Sequence, residues 1–276
     1  MNPAALRHLV VIPSYNTGPV LARTVAGALA FWPDVLVVVD GSTDGSADSL
    51  AALRATHPGL SVTRLPRNRG KGAAIHHGLR WARTRGYTHI LTMDADGQHP
   101  AEQIERFIAA SRSTPAALIL GRPVFADDAP ALRVQGRRVS NWWARLETPG
   151  SDIGDSLFGF RVYPAADLLA VMDTVSGMRR YDFDPEAAVR LCWRGLACVN
   201  LDSPVRYLSR DEGGISHFHY LRDNLLLIRM HVRLMIIFLA RLLLRPCAGA
   251  SHGCERVPPH PRTRLLKALM ESMIEA

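Results

Sequence analysis

Short apolar runs alternate with amphipathic stretches through the first 122 residues of the chain. Each run has the length of a buried strand, and each stretch between two runs repeats its apolar residues with the period of a helix. Strands that alternate with helices predict βαβ units and a mostly parallel sheet, which is an α/β fold. The predicted strands are 8–12, 35–39, 60–65, 89–93 and 117–121, and the predicted helices are 19–31, 46–56, 72–84 and 101–113.

The second half of the chain is less regular. A loop rich in Pro and Asp precedes a predicted helix at 131–146, and strands at 158–163 and 197–201 flank a helix at 184–195. The end of the chain is rich in Pro, Gly and His, and we expect it to be poorly ordered apart from a short terminal helix. We therefore predict a domain over 1–221 with halves 1–122 and 123–221, an amphipathic helix at 222–246 and a tail at 247–276.

Polar clusters follow the first four predicted strands directly. In a parallel sheet the carboxyl ends of the strands meet at one edge, and ligands bind beyond that edge. Each cluster alone is ordinary turn chemistry, but four of them at one edge indicate a binding site. The clusters contain Pro13, Tyr15 and Asn16 after the first strand, Asp40 after the second, Arg69, Gly70 and Lys71 after the third, and Asp94 and Asp96 after the fourth.

The fourth cluster, D-A-D-G-Q-H-P, places the carboxylates of Asp94 and Asp96 one residue apart at a strand end. Hard cations such as Mg²⁺ and Mn²⁺ prefer oxygen ligands, commonly one or two carboxylates together with substrate phosphates. The spacing therefore predicts a divalent cation beside a phosphorylated ligand. An aspartate after a strand is also a common turn residue or helix cap, and a second D-x-D occurs at Asp182 and Asp184.

Composition narrows the class of protein. The chain has 276 residues, of which 47% are hydrophobic and 21% charged, as expected for a globular protein. No apolar run near the N-terminus has the form of a secretory signal. The four cysteines contain no C-x-x-C pair, so we expect free thiols in a reducing compartment and no disulfide framework.

The net charge of +8 raises the question of an anionic partner, and the C-terminal part supplies much of the excess. Residues 225–244 are long enough to cross a bilayer, but a central arginine costs ~2.5–3.5 kcal/mol there, which argues against a simple span. Because Arg222, Arg229 and Arg233 fall on one helix face, the segment is typical of a basic amphipathic helix at an anionic membrane surface. The alternative is a helix packed on the protein's own core or between protomers. Aromatic residues do not interleave with the basic ones, so nucleic acid is not expected as a partner.

The motifs P-S-Y-N, V-D-G-S-T-D-G, N-R-G-K-G-A-A and D-A-D-G-Q-H-P, in this order and spacing, resemble family 2 glycosyltransferases of the GT-A fold. The resemblance extends over roughly residues 9–234 and is closest to the branch of dolichyl-phosphate mannose synthase-like and polyprenyl-phosphate sugar transferases. It implies a Rossmann-like, mostly parallel sheet flanked by helices, followed here by an amphipathic helix at the membrane interface.

The resemblance also implies roles for the polar clusters. Pro13, Tyr15 and Asn16 would border the nucleotide, and Asp40 would bind the nucleobase, although Val39 replaces an aspartate that relatives usually have. Arg69, Gly70 and Lys71 would approach the diphosphate, and Asp94, Asp96 and Gln98 would hold Mg²⁺ or Mn²⁺. Arg206, Arg210, Ser216 and His217 resemble a distal loop that closes over the diphosphate.

The second half would hold the acceptor. D-S-L-F-G-F-R resembles the family's S-G-F-R acceptor loop, with Phe158 in place of the usual serine, and its Arg161 would clamp a phosphate or form a salt bridge in a strand. Asp184 and Glu186 lie where relatives with hydroxyl acceptors have a catalytic base. The same D-P-E sequence is also well suited to starting a helix.

The resulting expectation is a metal-dependent, inverting glycosyltransferase that takes a sugar from UDP or GDP to a lipid-linked acceptor, a polyprenyl phosphate, in lipid glycosylation of the cell envelope. Asp96 and Arg161 would serve the reaction, and the protein would be peripheral on the cytoplasmic face of the inner membrane. One alternative is transfer to a lipid or glycan hydroxyl with Asp184 or Glu186 as the base. Another is a non-catalytic nucleotide-binding membrane scaffold. The sequence alone does not identify the sugar, the base or the oligomeric state.

Overall fold

Seven strands form one sheet in the order β3-β2-β1-β4-β6-β5-β7 in the computed structural model, which describes residues 5–125, 131–205 and 220–244. The first four strands pair in parallel, with Ile12 opposite Val37 and Val10 opposite Leu91, as the sequence predicts. The strands are β1 (His8–Ser14), β2 (Val35–Asp40), β3 (Leu60–Leu65), β4 (His89–Thr92), β5 (Leu118–Val124), β6 (Arg161–Pro164) and β7 (Cys198–Pro204).

Helices cover both faces of the sheet because the central strands are apolar on both sides. In β1, Leu9 and Val11 belong to one buried cluster and Val10 and Ile12 to the other. Helices α3, α6 and α7 pack in the first cluster, and α1 and α4 in the second. The helices are α1 (Val20–Phe31), α2 (Ala51–Thr56), α3 (Lys71–Thr84), α4 (Ile104–Ser113), α5 (Ala131–Glu147), α6 (Ala165–Thr174), α7 (Phe183–Trp193) and α8 (Tyr220–Leu243), with short 3₁₀ turns at Ser46–Leu50 and Ala101–Gln103.

The sheet differs from a simple parallel series at β6. This strand enters between β4 and β5 and runs antiparallel to both, pairing Leu91 with Val162 and Ile119 with Val162. Helix α6, which the sequence pattern did not predict, follows it directly. The carboxyl end of β4 therefore faces the start of β6, and the acceptor-loop motif before β6 comes next to the D-A-D motif.

One face of α8 packs on the domain, as in the alternative of a helix on the protein's own core, and the other face is exposed. The arginines of α8 are divided between two surroundings: Arg233 bonds to the buried carboxylate of Glu186, whereas Arg222 and Arg229 are exposed. The expectation that Arg222, Arg229 and Arg233 share one membrane-facing surface is wrong, because the Arg233 guanidinium is bound to the buried Glu186 carboxylate. The buried residues of α8 include Met230, His231, Leu234, Ile237 and Ala240.

The outer face of α8 is apolar and exposed. Its side chains recur three or four positions apart and form a strip along the helix, which we call the α8 strip. In the described residues, no helix is long and apolar enough to cross a membrane. The α8 strip consists of Leu225, Ile228, Val232, Ile236, Leu239 and Leu243, each at least 45% exposed.

Candidate active site

The carboxyl ends of β1, β2, β3 and β4 lie at one edge of the sheet, so the four polar clusters meet there as predicted. The loops after β1 and β2 are joined by hydrogen bonds. The backbone amide of Asn16 donates to Ser42 Oγ at 3.0 Å, and the backbone amide of Thr43 donates to the side-chain oxygen Oδ1 of Asn16 at 2.8 Å. Asn16 has a φ of 46°, a conformation that asparagine tolerates better than most residues. These bonds give the edge a fixed wall at the positions predicted to border a nucleotide.

Asp40 fixes the loop that leads into α3. The amides of Arg69 and Gly70 donate to its two carboxylate oxygens at 2.8 and 2.7 Å. Burial raises the pKa of Asp40, although these two amides oppose the shift. Asp40 is only 2% exposed, and its carboxylate holds the loop in place through these two hydrogen bonds. Its contact with a nucleobase stays a prediction. Gly41 is required beside it, because a Cβ there would lie 2.4 Å from the Asn68 nitrogen.

Lys71, at the start of α3, joins the two halves of the site. Its Nζ lies 2.7 Å from Asp94 Oδ1 and 2.8 Å from Asp184 Oδ2. Burial alone would lower the pKa of Lys71, but the two carboxylates outweigh it and raise the pKa, so the amine stays charged. Asp184 Oδ1 is buried without a hydrogen-bond partner, which leaves this carboxylate with a single strong contact.

Asp96 and Asp94 form a carboxylate pair at the end of β4. Burial and the neighbouring charge of Asp94 raise the pKa of Asp96 to about 7. For Asp94, burial is outweighed by Lys71, and its pKa is lowered. The backbone amide of Gln98 donates to Asp96 Oδ1 at 3.1 Å. Gln98, the predicted third ligand, therefore lies in the same turn as Asp96. A positive charge placed between the two carboxylates would relieve their repulsion.

His99, for which the sequence predicts no role, holds the D-A-D turn. The Asp94 amide donates to its Nδ1 at 2.9 Å, so Nδ1 carries no proton and the ring is neutral. Burial lowers the pKa of His99 to about 4, in agreement with that tautomer. Its ring meets Phe158 edge-on at 4.7 Å, which ties the turn to the acceptor loop.

Gly159 is a second residue for which the sequence predicts no role. Its carbonyl accepts a hydrogen bond from Thr92 Oγ1 at 2.7 Å. A Cβ on Gly159 would come within 2.4 Å of Lys71 Nζ and 3.1 Å of Asp94 Oδ2. The glycine therefore lets the acceptor loop approach the charged cluster closely. Its position in an F-G-F-R motif was the only sequence sign of this role.

Arg161 does not reach the surface, which corrects the expectation that it clamps a phosphate. The side chain is 0% exposed, and its guanidinium donates to the carbonyls of Phe158, Asp155 and Asp184. A ligand cannot contact it without unfolding this region. Arg161 instead fastens the acceptor loop to the start of α7, and so it positions Asp184.

Glu186 is also unsuited to the predicted role of a base. It is 0% exposed, and its two oxygens accept hydrogen bonds from Arg190 and Arg233. Two guanidinium partners occupy both carboxylate oxygens and hold the group away from solvent. Glu186 therefore connects α7 to α8 and is a structural residue.

The first aspartate of the second D-x-D motif, Asp182, caps a loop, whereas Asp184 belongs to the charged cluster. Asp182 Oδ2 accepts the Met178 amide at 3.0 Å, and Oδ1 accepts the Arg180 amide at 2.8 Å. Both oxygens are thus used by the backbone before α7, as turn chemistry predicts. Arg206 and Ser216, together with the rest of the predicted distal loop and the tail 247–276, lie outside the described residues.

Solved structures with similar folds include a glucosyl-3-phosphoglycerate synthase and TarS. Glucosyl-3-phosphoglycerate synthase from Mycobacterium tuberculosis, in complex with Mn²⁺ and UDP, superposes with a TM-score of 0.55 at 17% identity, over 88% of this chain and 82% of that one. TarS from S. aureus, in complex with UDP-GlcNAc, gives a TM-score of 0.54 at 15% identity, over 88% and 68%. At these identities the likeness shows a shared fold, the GT-A architecture.

Two curated relatives are similar in sequence over most of their length. An undecaprenyl-phosphate mannosyltransferase from Micrococcus luteus is 31% identical over 75% of this chain and 86% of its own. A polyprenol monophosphomannose synthase from Mycolicibacterium smegmatis is 31% identical over 75% and 79%. The model of the family described as "Glycosyl transferase family 2" matches residues 9–166. The chain therefore belongs to glycosyl transferase family 2 and is a glycosyltransferase.

Proposed function

We propose that this glycosyltransferase moves a sugar from a UDP- or GDP-sugar to a polyprenyl phosphate at a membrane surface. The observation that carries the proposal is the charged cluster at the sheet edge, in which Lys71 lies between Asp94 and Asp184. Asp94 and Asp96 are suited to the cation of a nucleotide diphosphate, and Lys71 adds a fixed positive charge beside them. The names of two relatives, which specify polyprenyl-phosphate and mannose chemistry, support the same acceptor class.

The donor set fits Mg²⁺ or Mn²⁺ held together with a diphosphate. Among the described residues, no cluster of three or more His, Cys, Asp or Glu side chains could hold an ion by itself. Two carboxylates plus substrate phosphates are the usual arrangement for these hard cations. Asp94, Asp96 and Gln98 would hold the ion. When bound there, it would supply Lewis-acid stabilisation of the departing diphosphate.

The acceptor side favours a phosphate over a hydroxyl. A hydroxyl needs a base near the attacking oxygen, whereas a phosphate is already ionised near pH 7. Glu186 is enclosed by two arginines, and Asp184 is 3% exposed and paired with Lys71. Neither carboxylate is exposed where an acceptor hydroxyl could reach it. In the proposed reaction a phosphate oxygen attacks the anomeric carbon as the bond to the diphosphate breaks, which inverts the configuration.

The α8 strip supports attachment to the membrane as a peripheral protein. Exposed apolar side chains along a helix insert into the boundary between headgroups and acyl chains, and nearby arginines attract anionic lipids. Arg222 and Arg229 are exposed on the same helix. Helix α5 packs beside α8 and exposes Val139 and Trp142. We place this surface on the cytoplasmic face of the inner membrane.

A transfer assay tests the proposal. The protein is incubated with Mn²⁺ and a panel of labelled UDP- and GDP-sugars, with either undecaprenyl phosphate or undecaprenol in detergent micelles. We expect label in the phosphate-bearing lipid only, with an anomeric configuration opposite to that of the donor. Label in undecaprenol would favour the hydroxyl alternative. Binding of a nucleotide sugar without transfer or hydrolysis, with lipid extract present, would favour the non-catalytic scaffold.

A further inference from the structure

Two of the four cysteines lie in contact, although no C-x-x-C motif brings them together in sequence. Sγ of Cys192, in the last turn of α7, is 3.3 Å from Sγ of Cys198, the first residue of β7. Both thiols are free and half-buried. A disulfide has an S–S bond of about 2.0 Å, so the sulfur atoms need to approach by little more than 1 Å to bond.

The turn between α7 and β7 holds the two cysteines in this arrangement. The Gly195 amide donates to the Cys192 carbonyl at 2.9 Å, and the Leu196 amide donates to the Leu191 carbonyl at 3.2 Å. Gly195 has a φ of 91°, the left-handed conformation that ends a helix and reverses the chain. The turn therefore returns the backbone tightly enough to place residue 198 beside residue 192.

The strand side is equally fixed. Cys198 pairs with Leu118 of β5, and the Leu118 amide donates to the Ala197 carbonyl at 2.8 Å. Two residues further along, Asn200 accepts a hydrogen bond from the Gly154 amide at 2.9 Å. Because both sulfur atoms are carried by well-bonded backbone, their contact is a property of the fold.

We propose that Cys192 and Cys198 form an intrachain dithiol that a small-molecule disulfide converts to a disulfide staple between α7 and β7. The Cys192 thiol loses its proton to solvent, attacks one sulfur of the oxidant and releases one thiolate, giving a mixed disulfide. The Cys198 thiol then loses its proton and attacks the Cys192 sulfur, which expels the second thiolate. The protein loses two hydrogen atoms, and the oxidant is reduced to two thiols.

The order of attack follows from the hydrogen bond between the thiols. The contact between the two sulfur atoms lowers the pKa of Cys192 and raises that of Cys198. Cys192 is therefore the more readily ionised sulfur and the one that attacks first. Replacing Cys198 with serine should then leave the reaction at its first stage, with the small thiol still attached to Cys192.

Peptide mapping of the full-length protein tests the staple directly. After treatment with oxidised glutathione and blocking of the remaining thiols, trypsin cleaves after Arg190, Arg194 and Arg206 and so separates the two cysteines. We expect the peptides 191–194 and 195–206 to be recovered as one cross-linked species, about 2 Da lighter than their sum, and as two species after reduction. The cysteines at 247 and 254 fall in other peptides.

Two controls make the test decisive. In C198S, the peptide 191–194 should carry glutathione, whereas in C192S the peptide 195–206 should be modified more slowly. The staple should also raise the thermal midpoint of the oxidised protein by several degrees. Recovery of both wild-type peptides as separate blocked thiols, or as separate glutathione adducts, under oxidising conditions would overturn the proposal.

Discussion

Lys71 and Asp184 stand 113 positions apart in the chain, yet the Lys71 ammonium lies 2.8 Å from the Asp184 carboxylate. The lysine begins α3, next to the predicted diphosphate loop, and the aspartate lies in the first turn of α7, in the acceptor half. This ion pair therefore connects the two halves of the site, and its lysine also reaches Asp94.

Replacing Lys71 with methionine should cost about 3 kcal/mol of unfolding free energy, because it leaves two carboxylates without their cation in a mostly buried site. In the double variant K71M/D184N much of that loss should return, since the amide needs no counter-ion. Chemical denaturation of the four proteins of the cycle measures the coupling. If the losses of unfolding free energy in K71M and D184N simply added in the double variant, the two residues would not form a stabilising ion pair. Transfer activity should be lost in both lysine variants.

The Asp96 carboxylate should be needed for metal-dependent binding of the nucleotide. We expect D96N to weaken binding of UDP or GDP in the presence of Mn²⁺ by at least about tenfold, because one of two charged ligands is removed. Chelation by EDTA should weaken the wild type to the same level and leave D96N unchanged. Asp48, which is exposed and paired with Arg64, gives the control D48N. Calorimetric titration compares the proteins, and equal Mn²⁺ dependence in D96N and the wild type would exclude the predicted metal site.

Gly159 and Gly136 form a matched pair for the close approach of the acceptor loop. In G159A the new methyl group would press on Lys71 Nζ, so we expect kcat to fall at least about tenfold while the thermal midpoint changes little. Around Gly136, in α5, a Cβ meets nothing within 4 Å, and G136A should keep full activity. Similar kcat values for the two variants would show that the cluster tolerates displacement.

The stacked histidines of β1 and β4 should make the fold sensitive to acid. His8 lies 4.8 Å from His89, and burial together with the neighbouring positive charges lowers the pKa of His8 to about 4. Between pH 6.5 and 4 the unfolded chain takes up a proton at His8 and the folded chain does not, so stability falls as the pH falls through this window. The loss should reach about 3 kcal/mol and level off below pH 4.

Denaturation curves at several pH values measure this effect. The matched variant H8F/S111A removes the histidine together with Ser111, whose hydroxyl contacts His8 Nε2 at 3.0 Å. Its stability should fall less steeply than that of the wild type over the same window. The same slope in both proteins would assign the acid sensitivity to other groups.

The α8 strip should contribute directly to membrane binding. Ile228 is 60% exposed, and I228N should reduce partitioning onto anionic phospholipid vesicles about tenfold, because an apolar side chain no longer enters the lipid. Phe31, exposed at the end of α1, gives the control F31N. Sedimentation with vesicles measures both variants. Equal losses in I228N and F31N would mean that the strip does not face the membrane.

The sequence by itself determined the local elements and the edge that carries the chemistry. Apolar runs next to turn-forming residues located the first four strands, and the parallel βαβ order brought Asn16, Asp40, Gly70 and Asp94 to one edge. These features follow from short-range periodicity and chain direction, which a single sequence records. The motifs were specific enough to indicate the family as well.

Only the tertiary structure decided which charged residues face a ligand and which face one another. Arg161, Glu186 and Arg233 are typical site residues by type, but each is held by at least one partner far along the chain, so none is available as predicted. The antiparallel entry of β6 and the contact between Cys192 and Cys198 depend on the same long-range packing. Whether a charged side chain is buried, and which group it pairs with, depends on the residues around it in the folded protein. The spacing of residues along the sequence does not specify these neighbours.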